Sequence, residues 1–217
     1  MCGRFNLTAT NERISEHFHL TRLSLRQPNY NITPGQKILC IVELDDGSYK
    51  GVNLFWGLIP SWSKNRKNAG LLINARAETL TEKPSFKSAY QNRRCLIPAT
   101  GFYEWRRAES GKQPFHIRYP DERLFAFAGL WEQRSNPLET VYSCAIITTA
   151  AHSGMAAVHD RMPVVIKPEN YQAWLNKQVS GIEMHAFEQA TPYRDMLITP
   201  ISDRINNPRN NDEACLV

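Results

Sequence analysis

The sequence predicts an α+β fold: a single β-rich domain with an antiparallel, barrel-like or two-layer sheet and a few short helices. Three observations lead there. Most apolar segments are short β-like runs separated by turn residues, strands and helices do not alternate, and no Gly/Ser or charged linker divides the 217 residues. Hydrophobic residues at 42% and charged residues at 22% match an ordinary globular chain and exclude wholesale disorder.

The elements follow in order. Thr10 opens a helix with Ile14, Phe18 and Leu20 on its apolar edge. Residues 28–35 (PNYNITPG) are turn-rich, broken by Pro34-Gly35. Ile38–Leu44 reads as a strand, and Asp46-Gly47 turns it into a second, Tyr49–Trp56. Residues 60–70 form a polar, basic loop, Leu71–Ile73 runs into Asn74–Thr79, and Pro84–Tyr90 supplies one or two helical turns. The chain is then mostly extended: Cys95–Pro98, Gly101–Trp105, Pro114–Tyr119, Leu124–Trp131, Val141–Thr149 and Met162–Lys167. Pro168 suits the first turn of a helix carrying Tyr171, Trp174 and Leu175. A short helix at Glu183–Ala190, a strand at Met196–Ile201 and an irregular tail from about residue 205 complete the expectation.

No apolar run approaches the roughly 20 residues that span a bilayer, and residues 1–10 (MCGRFNLTAT) lack a secretory apolar stretch. The five cysteines are scattered without a CxxC pair. Cys40, Cys95 and Cys144 read as buried small hydrophobes, and a soluble protein in a reducing cytoplasm is expected. The net charge of +5 is uneven: residues 61–124 carry thirteen Lys/Arg against six Asp/Glu, residues 125–217 seven against ten. The central third suits either a polyanionic partner or an ordinary solvated surface.

Four segments carry chemistry. If Met1 is removed, Cys2 presents an α-amine and a thiol on adjacent carbons. Together these can close on an aldehyde carbon as a thiazolidine ring. Amine and thiol titrate near ~8 and ~8.5 in model compounds, and Arg4 is expected to favour the thiolate. Cys2 could also serve an N-terminal-nucleophile hydrolase, or be accidental. In NARAET (74–79), Asn74 offers a donor and an acceptor, and Arg76 a fork of donors suited to phosphate; the same residues fit a turn with a surface ion pair. In GFYEW (101–105), Glu104 facing an apolar core would be an acid or base with a raised pKa, and facing solvent would be unremarkable. Trp105 fits either a base stack or the core. In HDRMP (159–163), His159 can shuttle protons and Arg161 can hold a phosphate. Zinc held by His152, His159 and Asp160 is a further option that no ligand motif supports.

Taken together, MCGRF (1–5), NITPG (31–35), FWGLIPSW (55–62), INARAET (73–79), RRCLIPATGFYEW (93–105) and TTAA followed by HDRMP (148–163) resemble the SOS-response-associated peptidase (SRAP) family in order and coverage. The resemblance implies a β-rich domain with a positively charged cleft. Members of the family bind single-stranded DNA and cross-link to abasic sites through the cysteine exposed when Met1 is removed. It places the catalytic positions on Cys2, Asn74, Glu104 and His159. The DNA contacts fall on Arg4, Asn31, Trp62, Arg76, Trp105 and Arg161. It implies no metal or cofactor, abasic single-stranded DNA as partner, no membrane, a monomer, and a cytoplasmic or nucleoid setting. Two positions depart from many relatives: Thr100 replaces an acidic residue and Ser63 an apolar one, either of which could alter how DNA is channelled. Two rival uses of the same residues are a cysteine peptidase acting on other proteins and a DNA-binding module without a covalent step.

Overall fold

The structure, a computed structural model, describes residues 2–63, 71–109, 111–178 and 193–217. The basic loop at 64–67, the helix expected at 183–190 and Met1 lie outside the described residues. β1 (Phe5–Leu7) leads to α1 (Asn11–His17), whose N-terminus is capped by the Thr10 hydroxyl accepting the Arg13 N–H. β2 (Leu20–Arg22) and β3 (Asn29–Ile32) precede the hairpin of β4 (Lys37–Glu43) and β5 (Tyr49–Trp56). At that turn Gly47 adopts φ +79° and the Asp46 carboxylate accepts the Ser48 N–H.

β6 (Asn74–Arg76) and α2 (Pro84–Asn92) follow, then the long run of β7 (Arg94–Ala99), β8 (Gly101–Ala108), β9 (Gly111–Arg118), β10 (Phe125–Ser135) and β11 (Thr140–Ala150). The chain continues through α3 (Ser153–Ala156), β12 (Arg161–Pro163), β13 (Val165–Ile166), α4 (Tyr171–Leu175) and β14 (Leu197–Pro200).

Two sheets result. One runs β14-β9-β8-β1-β3; the other follows β12-β11-β10-β7-β4-β5-β2, with β13 beside β10 and β6 beside β11. β5 also returns to β11 (Ser143↔Phe55, Cys144↔Trp56), so β11, β10, β7, β4 and β5 form a closed ring. This gives the single β-rich α+β domain that the sequence predicts. It departs from a wholly antiparallel sheet at three short parallel pairings: β11 with β5, β11 with β6, and β2 with β5. Each joins segments far apart in sequence, where no hairpin turn announces the partner.

Two further differences concern the chain ends. Residues 29–32, expected as turn, form β3 because they pair with β1, and the turn itself is confined to Thr33–Gly35, with Gly35 at φ +88°. The tail from residue 205 is irregular but packed. Ile205 and Cys215 are buried with Tyr103 and Ile201 in a second apolar cluster on the outer face of β8. Asn31 fastens this segment, its amide donating to the carbonyls of Asn207 at 3.0 Å and Asn210 at 2.8 Å.

Alternation along β8 aims the site. Phe102 joins the main core while Tyr103 faces the C-terminal cluster, so Glu104 points back to the core side. Gly101, opposite Asn6 on β1, has no room for a side chain: a Cβ there would lie 2.2 Å from His116 Nε2 and 2.7 Å from Asn6 Oδ1. Both atoms are buried and without hydrogen-bond partners. Gly101→Ala is therefore expected to destabilise the fold by about 1–3 kcal/mol in urea unfolding, the range for overpacking a core. An unchanged midpoint would contradict this packing.

Candidate active site

β1 sits between β8 and β3, with Phe5 opposite Phe102 and Ile32. The Tyr103 N–H donates to the Arg4 carbonyl at 2.9 Å, continuing the pairing toward the amino terminus and bringing Cys2 alongside Glu104. Cys2 is fully buried. From β6, the Asn74 amide donates to the Cys2 carbonyl at 3.0 Å. Asn74 Oδ1 is buried without a partner, an acceptor left for an incoming N–H or O–H.

Glu104 is 3% exposed, which settles its direction: it faces the core. Burial raises its carboxyl to about 7, and the charge of Asp160 adds to the shift. His159 lies just before β12. The Arg161 N–H donates to His159 Nδ1 at 2.9 Å, so the neutral ring carries its proton on Nε2. Asp160 Oδ1 also lies 2.9 Å from Nδ1 and takes that proton's hydrogen bond when the ring is charged. Burial holds the imidazole below its ordinary range, favouring the neutral form.

The thiol corrects an expectation. Burial, reinforced by the Glu104 charge, pushes Cys2 well above the usual thiol range. The Arg4 guanidinium does not activate it. Its Nη1 instead donates to Asn31 Oδ1 and to the Ile205 carbonyl, both at 2.6 Å, and it lies 5.7 Å from the centre of the Trp105 ring. Cys2 is a neutral thiol beside a carboxyl that titrates near neutrality.

The structure thus brings Cys2, Asn74 and Glu104 together, with Asp160, the neighbour of His159, close enough for its charge to act on Glu104. The expected DNA contacts divide into two groups. Asn31 is 1% exposed, and its amide holds Arg4 and the C-terminal segment. Trp105 is half-buried and donates from Nε1 to Asn206 Oδ1 at 2.8 Å. Arg76 is exposed, Trp62 is 65% exposed on the turn after Pro60, and Arg161 is ion-paired to Glu78. Thr100 is buried and its hydroxyl accepts the Thr8 N–H at 3.1 Å, so it locks the end of β1 and does not face a channel. Among the described residues no group of three or more His, Cys, Asp or Glu could hold a metal ion, the trio of His152, His159 and Asp160 included.

Sequence reading missed Tyr193. It is buried, its hydroxyl donates to the Pro163 carbonyl at the end of β12, and its ring meets Phe102 edge-on at 6.1 Å. Burial raises its phenol, and the neighbouring titratable groups of Cys2, Tyr119 and Glu104 act in the same direction. No local signal in TPYRDM marks it. Asn206 was missed too, because an irregular tail gave no reason to look there.

Comparison with known proteins agrees with this architecture. Residues 1–208 match the family described as SOS response associated peptidase (SRAP). The chain belongs to that family. It is 42% identical to the abasic site processing protein YoqW of Bacillus subtilis, covering 97% of this chain and 96% of that protein. It is 30% identical to the abasic site processing protein YedK of Escherichia coli, with the same coverage. A crystal structure of a Bacteroides thetaiotaomicron protein superposes with TM-score 0.88 at 26% identity, covering 99% of this chain and 98% of the other.

The raised carboxyl has a consequence for stability. Between its ordinary value of 4.5 and its folded value of about 7, the native state binds a proton that the unfolded chain releases. Its favourable contribution is present below pH 4.5 and is lost as pH rises through 7. Glu104→Gln should match the wild type near pH 4 and exceed it near pH 8, by up to about 3 kcal/mol for a shift of this size. Urea unfolding at the two pH values checks this; a deficit at pH 8 would contradict the shift.

Proposed function

We propose that this protein processes abasic sites in single-stranded DNA by linking them covalently to Cys2 as a thiazolidine, once Met1 has been removed. The observation that carries the reading is the burial of Cys2 and Glu104 side by side, with the Asn74 amide on the Cys2 carbonyl; that burial raises the thiol and the carboxyl and lowers the His159 imidazole. An abasic deoxyribose is mostly a closed hemiacetal. Glu104 and His159 exchange protons with it, opening the ring and exposing the aldehyde. Asn74 Oδ1 orients the Cys2 amine or the sugar hydroxyl.

The amine adds to the aldehyde carbon and water leaves, giving an imine. The thiol then adds across the C=N bond: sulfur bonds to carbon and its proton ends on nitrogen. No oxidant or reductant is needed. Closure competes with β-elimination, so the product shields the strand instead of breaking it. A recessed thiol requires the sugar to be splayed out, which favours a single strand over duplex. Arg76, Arg161 and Trp62 supply phosphate and stacking contacts at the rim. The names carried by YoqW and YedK support the same substrate class. A peptidase acting on other proteins is less well served, because its nucleophile needs a lowered thiol pKa and this one is raised.

The test is incubation with an abasic single-stranded oligonucleotide, followed by denaturing gel and intact mass. A conjugate of protein lacking Met1, heavier by the oligonucleotide less one water, is expected. Cys2→Ser should leave an imine that borohydride traps but no stable adduct, and Cys2→Ala at most a reversible imine. Glu104→Gln should slow cross-linking by about 10²-fold or more, the scale of a lost general acid–base. Stable adducts at wild-type yield with Cys2→Ala, or a mature chain that keeps Met1, would reject the proposal.

A further inference from the structure

Thr148 of β11 pairs with Arg76 of β6 on one edge and with Pro163 of β12 on the other. Glu78, two residues beyond β6, reaches across the end of β11 to Arg161 at the start of β12. The contact is fork on fork: Nη1 donates to Oε1 at 2.6 Å and Nη2 to Oε2 at 2.9 Å. Nη2 also donates to the Thr148 carbonyl at 2.7 Å. The Arg161 side chain is 14% exposed and that of Glu78 is 47% exposed.

A phosphodiester, like a carboxylate, offers two unesterified oxygens that a guanidinium can engage together, so both compete for the same pair of N–H donors. Arg161 is held in place without Glu78, by its position in β12 and by the Thr148 carbonyl. Glu78 sits half-exposed on a short 3-10 turn, Ala77–Thr79, with solvent available to receive it. The fixed partner is therefore the cation and the displaceable one the carboxylate.

We propose that Glu78 is a resident competitor for the DNA phosphate at Arg161, a specificity-determining residue that restrains binding to undamaged single strands. This rests on the reading of Arg161 as a phosphate contact. An undamaged strand must displace Glu78 with electrostatic attraction alone, whereas an abasic strand is also retained by the covalent step. Glu78 thereby biases the protein toward lesions.

The experiment measures anisotropy of a fluorescein-labelled oligothymidine without any abasic site, titrated between about 50 and 200 mM salt. Glu78→Gln is expected to bind about fivefold tighter at the low-salt end, the scale of a part-exposed ion pair. Its plot of log affinity against log salt should steepen by up to about 0.7, the value for one phosphate contact on a single strand, because the wild type makes the Arg161 contact only in part while Glu78 competes for it. Glu78→Ala should shift both quantities in the same direction, which guards against poor packing of the glutamine. Equal or weaker binding, or an unchanged salt slope, overturns the inference and makes Glu78 a buttress for Arg161. If the wild type cross-links abasic DNA while neither variant binds undamaged DNA more tightly, this inference alone fails. If the wild type neither binds nor cross-links any single strand, the functional reading fails with it.

Discussion

A strand of three residues holds the structure's functional logic together. Phe5–Leu7 lies in the interior of a five-stranded sheet, between β8 and β3, although chain termini ordinarily fray. Phe5 makes the placement firm: it is buried, with edge-on contacts to Trp56 at 5.3 Å and Phe127 at 5.7 Å. Burying such a ring contributes about 2–3 kcal/mol, before the aromatic geometry is counted. Release of β1 would expose that ring, open the edges of both neighbouring strands and withdraw Cys2 from Glu104. Cys2, three residues before that strand, is consequently held in the buried interior.

The long elements were legible because each carries its own signal. Thr10 caps α1, Asp46-Gly47 turns the β4–β5 hairpin, and the extended runs of β7 to β11 are apolar enough to be read alone. β1 and β3 were not, because FNL and NYNI are too short and too polar to stand out, and become strands only by pairing with each other and with β8. Within the site, Cys2, Glu104 and His159 were candidates by residue type that the family resemblance singled out, and their protonation was not legible. Glu104 could have faced either side of its strand, and the thiol shift follows from burial that no neighbouring residue in MCGRF reveals. Asn31 and Arg4 carry a structural role that their residue types did not announce. Their residue types suit a polyanion, yet much of their hydrogen bonding secures the C-terminal segment.

Not every cation of the basic central third faces solvent. Arg94 belongs to the basic central third but is buried, donating to the carbonyls of Trp174 at 2.6 Å, Tyr90 at 2.7 Å and Gln91 at 3.0 Å. It thereby fixes the ends of α2 and α4. Arg93 is paired with Glu132 at 2.9 Å, and Arg106 lies 4.9 Å from the Phe115 ring centre. Arg94 and Arg93 answer structural needs first, while Arg106 stays exposed. Arg76 of that third is exposed, whereas Arg161, which lies beyond it in sequence, is ion-paired to Glu78.

Neutrality is the property that separates the possible uses of an amino-terminal cysteine here. A peptidase nucleophile works as a thiolate beside an imidazolium, and burying that pair is penalised at both members: the Cys2 thiol is pushed up and the His159 ring is pushed down. Condensation of an amine with an aldehyde and addition of a thiol to the imine begin and end with uncharged partners. Protons need only be moved between neighbouring atoms. A carboxyl titrating at about 7 can take such a proton and return it without a large change in free energy, whereas an ordinary carboxylate would hold it too weakly. The burial that makes Cys2 a poor thiolate is thus compatible with the proposed ring closure, in which Glu104 would carry the proton transfer.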